Sequence, residues 1–479
     1  MLFNSLTFVL FMLTVLSIHY SLRNWQQQKL HLLIASYVFY AAWNPPFVLL
    51  LMFSTVVDWL IARWIAAAPT QTGKRYLLLL SLISNLGLLA YFKYGNFVLE
   101  NFVTLINKLG VHYTPAPLDI ILPIGISFYT FQTLSYTIDV YRGKLQPSQS
   151  LLDFAFFVTF FPQLVAGPIV RASDFLPQCL TPRKANMNQL GWGLSLIAFG
   201  VFAKVVLSDK ILAPLADAGY ANVHLLTGLD AWITVLAFSG QIFFDFSGYS
   251  TAAIGAALCF GFVLPDNFKA PYMAIGFSDF WRRWHISLSS WLKDYVYIPL
   301  GGNRLSITRT YTNLLFTMLI GGLWHGASWL FVIWGGLHGL YLAFEHAGRA
   351  TFAARFQRPQ SDLLKLALGL LTFLVVSVTW VFFRAHSLDD AQTLLGVLFQ
   401  LSSIPANPMI PDYPADNVPT AFLLLVALLA WHWYTRDSNL EMVFQRLPVA
   451  ARCVVLSYVL LALIFTTGGD SRAFIYFQF

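Results

Sequence analysis

The sequence carries little charge for its length. Lys, Arg, Asp and Glu make up 11% of its 479 residues, whereas an average soluble domain contains about 25%. Hydrophobic residues make up 57% of the chain and aromatic residues 16%. A soluble fold of this size could not bury so much apolar surface and still present a charged shell. The composition therefore excludes an ordinary cytosolic enzyme, a disordered chain and a fibrous repeat.

Cysteine and the motifs of soluble enzymes are also scarce. The three cysteines, Cys179, Cys259 and Cys453, form no CxxC pair and no metal-type spacing, which argues against a disulfide framework or a zinc ribbon. The chain contains no GK[ST] phosphate loop, no HExxH and no GxSxG. We find no linker and no internal repeat, so we expect a single transmembrane domain over residues 1–479.

Long apolar stretches are abundant, and they predict an all-α fold, a polytopic helical membrane protein. Candidate spans lie at 2–18, 30–44, 47–66, 76–93, 118–140, 151–169, 190–207, 229–246, 249–264, 312–324, 327–346, 363–383, 419–433 and 450–467. Several are shorter than a full span, so we expect about a dozen membrane helices. The net charge of +7 then reflects basic cytoplasmic loops, and nucleic acid is not an expected partner.

Loop charge predicts the topology. The stretch 2–18 has no preceding positive charge and no cleavage site, so it is interpreted as a first membrane helix and not as a signal peptide. Arg23 and Lys29 follow it, which places the N-terminus outside. The basic segments 265–311 and 348–365 should face the cytoplasm. Segments 211–228 and 401–418 lack Lys and Arg and should face the exterior.

The segment 265–311 is long, aromatic and basic. It carries six basic residues against three acidic residues, and several Trp and Tyr residues lie among these charges. This pattern is typical of helices that lie at the membrane interface or enter the protein part-way. The pattern fits both an interfacial anchor and the wall of a funnel for a cytoplasmic substrate.

His325 is the strongest candidate for chemistry. Nothing charged lies between Arg309 and Glu345, and a polar residue in such apolar surroundings is a functional candidate. A neutral imidazole can accept a proton from a hydroxyl group. The nearby Gly321, Gly322 and Gly326 would allow another chain or a substrate to approach closely. From spacing alone, a histidine that only bonds neighbouring helices is equally consistent.

Other polar residues have weaker patterns. His285 could be a gate or a second polar residue on the path to His325, or a packed interfacial histidine. Arg282 and Arg283 could bind the phosphates of a nucleotide-bearing donor. Each of them, taken singly, is also explained as a basic anchor on the cytoplasmic side of the membrane. Asp245 needs a partner within the membrane, and we expect a structural hydrogen-bond network there. For His338 we favour a structural role.

Several motifs resemble those of the membrane-bound O-acyltransferase family, in particular its bacterial alginate O-acetyltransferase-like branch. They lie at 122–136 (LPIGISFYTFQTLSY), 161–169 (FPQLVAGPI), 241–250 (QIFFDFSGYS), 265–272 (PDNFKAPY), 280–288 (FWRRWHISL), 323–327 (LWHGA) and 474–479 (FIYFQF). In this branch the FSGYS motif is usually followed by Asp, whereas Thr251 and Ala252 follow it here.

The resemblance implies a ring of helices around a central tunnel, with a catalytic histidine at the position of His325 and a second at His285. Arg282, Arg283 and Trp324 become candidates for donor binding. It implies an acyl donor from the cytoplasm, acetyl-CoA being expected, with no bound cofactor and no metal. It also implies a bacterial inner-membrane enzyme that acetylates an exported or cell-surface polysaccharide of the alginate, cellulose or peptidoglycan type.

The expected partners are the lipid bilayer, the glycan acceptor and a periplasmic SGNH hydrolase-like protein that receives acetyl groups. Two other functions stay open at this stage. One is D-alanyl transfer toward teichoic acid. The other is a transporter or flippase without chemistry, which inverted repeats and paired broken helices would favour.

Overall fold

The fold is helical throughout the part of the chain that the structure describes. A computed structural model describes residues 1–165, 167–351, 361–400, 410–466, 472 and 474–475. Helices α1 to α10 are Leu6–Ser21, Trp25–Ala41, Pro46–Ala67, Gln71–Lys108, Ile126–Tyr141, Leu151–Thr159, Phe161–Leu164, Ala172–Leu180, Met187–Phe202 and Ala213–Ala221. Helices α11 to α20 are Gly228–Leu258, Phe277–Arg283, Ile286–Leu292, Ile307–His325, Trp329–Thr351, Asp362–Arg384, Leu388–Leu398, Val418–Tyr434, Leu440–Arg446 and Val449–Thr466.

Two π-helical turns extend these helices, and three short 3₁₀ turns lie between others. The π turns, Ala203–Leu212 and Lys293–Tyr297, follow α9 and α13 directly. Helix starts often carry a side-chain cap, as at Asn24, Thr70 and Ser306, whose oxygens accept N–H groups of the first turn. Such caps satisfy donors that have no partner inside the helix.

Seven helices of the described residues are long and apolar enough to span a membrane. Other apolar stretches form shorter helices, such as α1 with 16 residues and α2 with 17 residues. The stretch 151–169 is divided into α6 and α7, since Phe160 leaves helical geometry ahead of Pro162. The stretch 229–246 and the first part of 249–264, expected as two spans, form one helix, α11, which ends at Leu258. The segments 348–365 and 401–418 lie partly outside the described residues.

The described helices group into two compact units. The first contains residues 1–197 and 252–265. Its core is aromatic, with Phe156, Phe160, Phe175 and Phe262 in mutual ring contact at centroid separations of 5.0–5.5 Å. Some buried polar side chains of this unit pair between helices, as Lys29 of α2 does with Asp153 of α6.

The second unit contains residues 198–251 and 266–479. Its core is also rich in aromatic side chains, and Trp284, Trp334 and Trp380 are fully buried. Trp334 stacks on Trp380 at 5.6 Å, and Trp284 lies 5.1 Å from Trp380. The segment 265–311, expected to lie at the interface or to enter the protein part-way, forms the short helices α12 and α13. Trp284 lies between these two helices and packs in this core.

Candidate active site

His325 is the last residue of α14. The helix ends there because Gly326 adopts an extended backbone, and a short turn leads into α15. The side chain of Phe331 closes over this turn, since a Cβ atom at Gly326 would lie 2.1 Å from its ring. His325 is 2% exposed. The turn thus carries an imidazole into the protein interior at the end of a helix.

Close backbone contact between α14 and α15 positions this turn. A Cβ atom at Gly322 would lie 2.2 Å from the carbonyl oxygen of Phe331, and one at Gly335 would lie 2.3 Å from that of Met318. Only small residues allow such an approach. The close approach expected at Gly322 and Gly326 is therefore made by α15 of the same chain.

Aromatic side chains surround the His325 ring. Trp324 and Trp334 lie 5.0 Å from it in edge-on geometry, and Phe383 of α16 lies at 5.3 Å. All three of these side chains are buried. An apolar wall of this kind excludes water and strengthens electrostatic interactions inside it.

His285 lies beside this cluster. Its ring centroid is 6.3 Å from that of His325 and 5.7 Å from that of Trp324, and Phe246 of α11 packs edge-on against it at 4.6 Å. His285 is fully buried, and burial lowers the pKa of its imidazole to about 3 because the charged form is poorly solvated. The structure thus brings together His285, Trp324 and His325, which are up to 40 residues apart in the sequence.

Asn267 is a neighbour of His285 that the sequence analysis did not single out. Its Oδ1 atom lies 3.1 Å from Nδ1 of His285 and 2.9 Å from the hydroxyl of Ser287, and its Nδ2 donates to Ser250. Asn267 lies within the motif at 265–272, and no other feature of the sequence pointed to this residue. A role for its amide becomes visible only when α13 is folded against it.

The hydrogen bonds and ion pairs given for Arg283 are to groups other than the histidine pair. The Nε atom of Arg283 is 3.0 Å from a carboxylate oxygen of Asp279, and its Nη1 donates to the carbonyl of Arg436 at 2.9 Å. Arg282 is exposed. The guanidinium of Arg283 therefore has internal partners, and a role of either arginine in donor binding stays a prediction.

His338 and Asp245 have partners elsewhere in the second unit. The Nε2 atom of His338 is 3.1 Å from the hydroxyl of Thr379. Asp245 pairs with the buried Lys204, which also lies 2.9 Å from Asp209. Asp245 further accepts the backbone N–H of Ile475 at 2.9 Å. The expected network around Asp245 is thus present, and it binds the C-terminal segment.

That segment also reaches the neighbourhood of His285. The ring of Phe474 lies 5.6 Å from that of Phe246 and 4.6 Å from that of Tyr249. Phe246 in turn packs against His285. The described part of the closing motif therefore supports a side chain that contacts His285.

The chain is similar in sequence to a known family and to named proteins. The model of the membrane-bound O-acyltransferase family matches residues 77–383. The chain is 44% identical over 401 residues to a probable alginate O-acetylase AlgI of Azotobacter vinelandii, covering 83% of this chain and 78% of that protein. It is 37% identical over 495 residues to a peptidoglycan O-acetyltransferase of Helicobacter pylori, covering 94% and 91%.

A teichoic acid D-alanyltransferase of Bacillus subtilis is more distant, at 28% identity over 47% of this chain and 59% of that protein. The family match covers more than half of the sequence and includes both His285 and His325. Together with the membrane helices and the buried histidine pair, these similarities identify the chain as a member of the membrane-bound O-acyltransferase family, a multi-pass membrane acyltransferase.

Proposed function

We propose that this protein is an O-acetyltransferase that moves acetyl groups from a cytoplasmic thioester, acetyl-CoA, toward hydroxyl groups of an exported or cell-surface polysaccharide. The polymer is of the alginate, cellulose or peptidoglycan type. Two relatives of high coverage, named for alginate and for peptidoglycan acetylation, support this class of acceptor. The observation that carries the chemistry is the buried pair of His285 and His325 within an aromatic cluster.

In this proposal His325 is the general base. It takes the proton of the acceptor hydroxyl while the oxygen attacks the thioester carbonyl, and the thiolate of coenzyme A leaves and takes up that proton. General bases of this kind contribute about 10²- to 10⁴-fold to the rate. The aromatic wall slows hydrolysis of the thioester by keeping water away.

The surrounding organisation is part of the proposal. The chain is a single transmembrane domain of a bacterial inner membrane, with its N-terminus in the periplasm and 265–311 on the cytoplasmic side. Arg282, Arg283 and Trp324 assist donor binding. A periplasmic SGNH hydrolase-like protein receives the acetyl group and modifies the polymer.

The test is turnover of radiolabelled acetyl-CoA by purified protein. We expect His325→Ala to lower turnover about 100-fold or more. The matched control is His346→Gln, because His346 is an exposed histidine on the same helical hairpin. Full turnover by a folded His325→Ala protein would refute the assignment of the base.

D-alanyl transfer is the second candidate, and the same preparation distinguishes it. A D-alanylated carrier protein replaces acetyl-CoA as the labelled donor. If label is lost from the carrier protein and not from acetyl-CoA, the donor is the D-alanylated carrier. The function would then be D-alanyl transfer and not acetyl transfer.

A further inference from the structure

Asn267 contacts three consecutive residues at the start of α13. Its backbone carbonyl accepts the N–H of Ile286 at 3.0 Å. Its side-chain Oδ1 lies 3.3 Å from the backbone nitrogen of Ser287, 2.9 Å from the Ser287 hydroxyl and 3.1 Å from Nδ1 of His285. Asn267, which is 1% exposed, thus supplies acceptors to a helix start from another part of the chain.

These contacts hold His285 in an uncommon backbone conformation. His285 precedes the first residue of α13, has φ of +44° and makes no side-chain cap bond of its own. A left-handed conformation costs a residue other than glycine about 1–3 kcal/mol, and such positions cluster at functional sites. The acceptors of Asn267 compensate part of this cost by satisfying N–H groups that otherwise have no partner.

The same contacts decide which ring nitrogen of His285 carries the proton. A backbone N–H can only donate, so the group of Asn267 that faces Ser287 must be the carbonyl oxygen. The Nδ2 group then faces Ser250. Since Oδ1 can only accept, Nδ1 of a neutral His285 must carry the hydrogen. The lone pair is therefore on Nε2.

The Nε2 atom is buried and has no hydrogen-bond partner among the described residues. The two imidazole rings are separated by 6.3 Å between centroids. At this separation, two neighbouring hydroxyl groups of one bound molecule can each hydrogen-bond one of the rings.

We propose that Asn267 is a positioning residue that holds His285 as the Nδ1–H tautomer, so that Nε2 accepts a hydrogen bond from a hydroxyl group of the acceptor next to the one that is acylated. The reacting hydroxyl is thereby held beside His325, which takes its single proton. This inference rests on the proposed acyl transfer for the identity of the hydroxyl. The tautomer of His285 follows from the hydrogen bonds alone.

The first measurement needs no activity. The ¹⁵N NMR spectrum of the full-length, histidine-labelled protein in nanodiscs reports which ring nitrogen carries the proton, and the signal missing from His285→Gln identifies His285. We expect hydrogen on Nδ1 at neutral pH. Hydrogen on Nε2 would overturn the inference, whatever the enzyme's substrate proves to be.

The second measurement uses a series of variants. Asn267→Leu removes the acceptor, and we expect kcat with acetyl-CoA to fall about tenfold, the equivalent of one neutral hydrogen bond. Asn267→Asp keeps an acceptor facing Nδ1, so we expect it to retain both the tautomer and most of the activity. Ser250→Ala is the matched control, because it removes the other bond of the same amide and leaves Oδ1 in place.

A double-mutant cycle separates positioning from mere structural support. If Asn267 acts through His285, Asn267→Leu has no further effect in the His285→Gln background. Additive losses would overturn the inference. If Asn267→Leu fails to fold, the wild-type NMR spectrum and the activity of Asn267→Asp still test whether Asn267 fixes the tautomer of His285. A wild-type protein that carries the hydrogen on Nδ1 of His285 but transfers no acetyl groups would refute the proposed function. The assignment of the tautomer would still hold.

Discussion

Lys204 provides the sharpest test of how the second unit is held together. Its ammonium group is almost fully buried between two carboxylates, Asp209 at 2.9 Å and Asp245. Asp245 also accepts the backbone N–H of Ile475. Replacing Lys204 by Met keeps much of the side-chain length and removes a positive charge that both carboxylates contact.

The contacts of Lys204 indicate how much free energy of unfolding each variant should lose. Removing one partner of a buried ion pair leaves an uncompensated charge and costs about 3–5 kcal/mol. Asp209→Asn is milder, because Lys204 keeps its contact with Asp245 and the amide oxygen still accepts; the expected loss is about 1 kcal/mol, the size of one hydrogen bond. We therefore expect Lys204→Met to lower the free energy of unfolding more than Asp209→Asn does.

The assay is thermal unfolding of purified protein, together with limited proteolysis of the C-terminal segment. We expect Lys204→Met to lower Tm several degrees more than Asp209→Asn. We also expect it to expose the chain near Ile475 to proteolysis, since Asp245 anchors this backbone. Equal Tm values for Lys204→Met and the wild type, or a larger effect of Asp209→Asn, would refute the reasoning.

Two further predictions concern the histidine site. Gly335→Ala should destabilise the protein strongly, because its Cβ would lie 2.3 Å from the carbonyl of Met318 in α14, whereas Gly336→Ala, whose Cβ would be 3.6 Å from Leu319, should be tolerated; Tm values of the two variants check this, and equal losses would contradict it. His285 has a folded pKa of about 3, below the unfolded value of about 6.5. Its contribution to stability is therefore fully present above pH 6.5 and is lost as the pH falls toward 3, because the unfolded state binds the proton first. As the pH falls between these values, Tm should decrease more in the wild type than in His285→Gln. Parallel curves of Tm against pH for the two proteins would contradict a buried neutral imidazole.

Much of the site could be anticipated from local features. His325 stands out because a long stretch without charge surrounds it, and His285 and Trp324 lie in motifs that resemble family signatures. The family match confirms the resemblance. Hydropathy alone does not show that 151–169 forms two short helices or that α11 is continuous.

Asn267 and Lys204 could not have been assigned roles in this way. An asparagine in a loop motif has no distinctive pattern, and its function depends on α13 packing against it 18 residues later. Lys204 meets Asp245 only when α11 lies beside the π turn that carries the lysine. Both roles are hydrogen-bond or charge complementarity between distant segments, which periodicity and composition do not encode.

Composition and apolar runs alone determined that the chain is a helical membrane protein, because each span must satisfy its backbone within one helix. They also identified the rare polar residues in apolar surroundings. The tertiary structure alone decided which of these residues meet, which have structural partners, and which nitrogen of His285 is free to accept. Those outcomes depend on hydrogen bonds and ring contacts that form when segments up to 230 residues apart pack together.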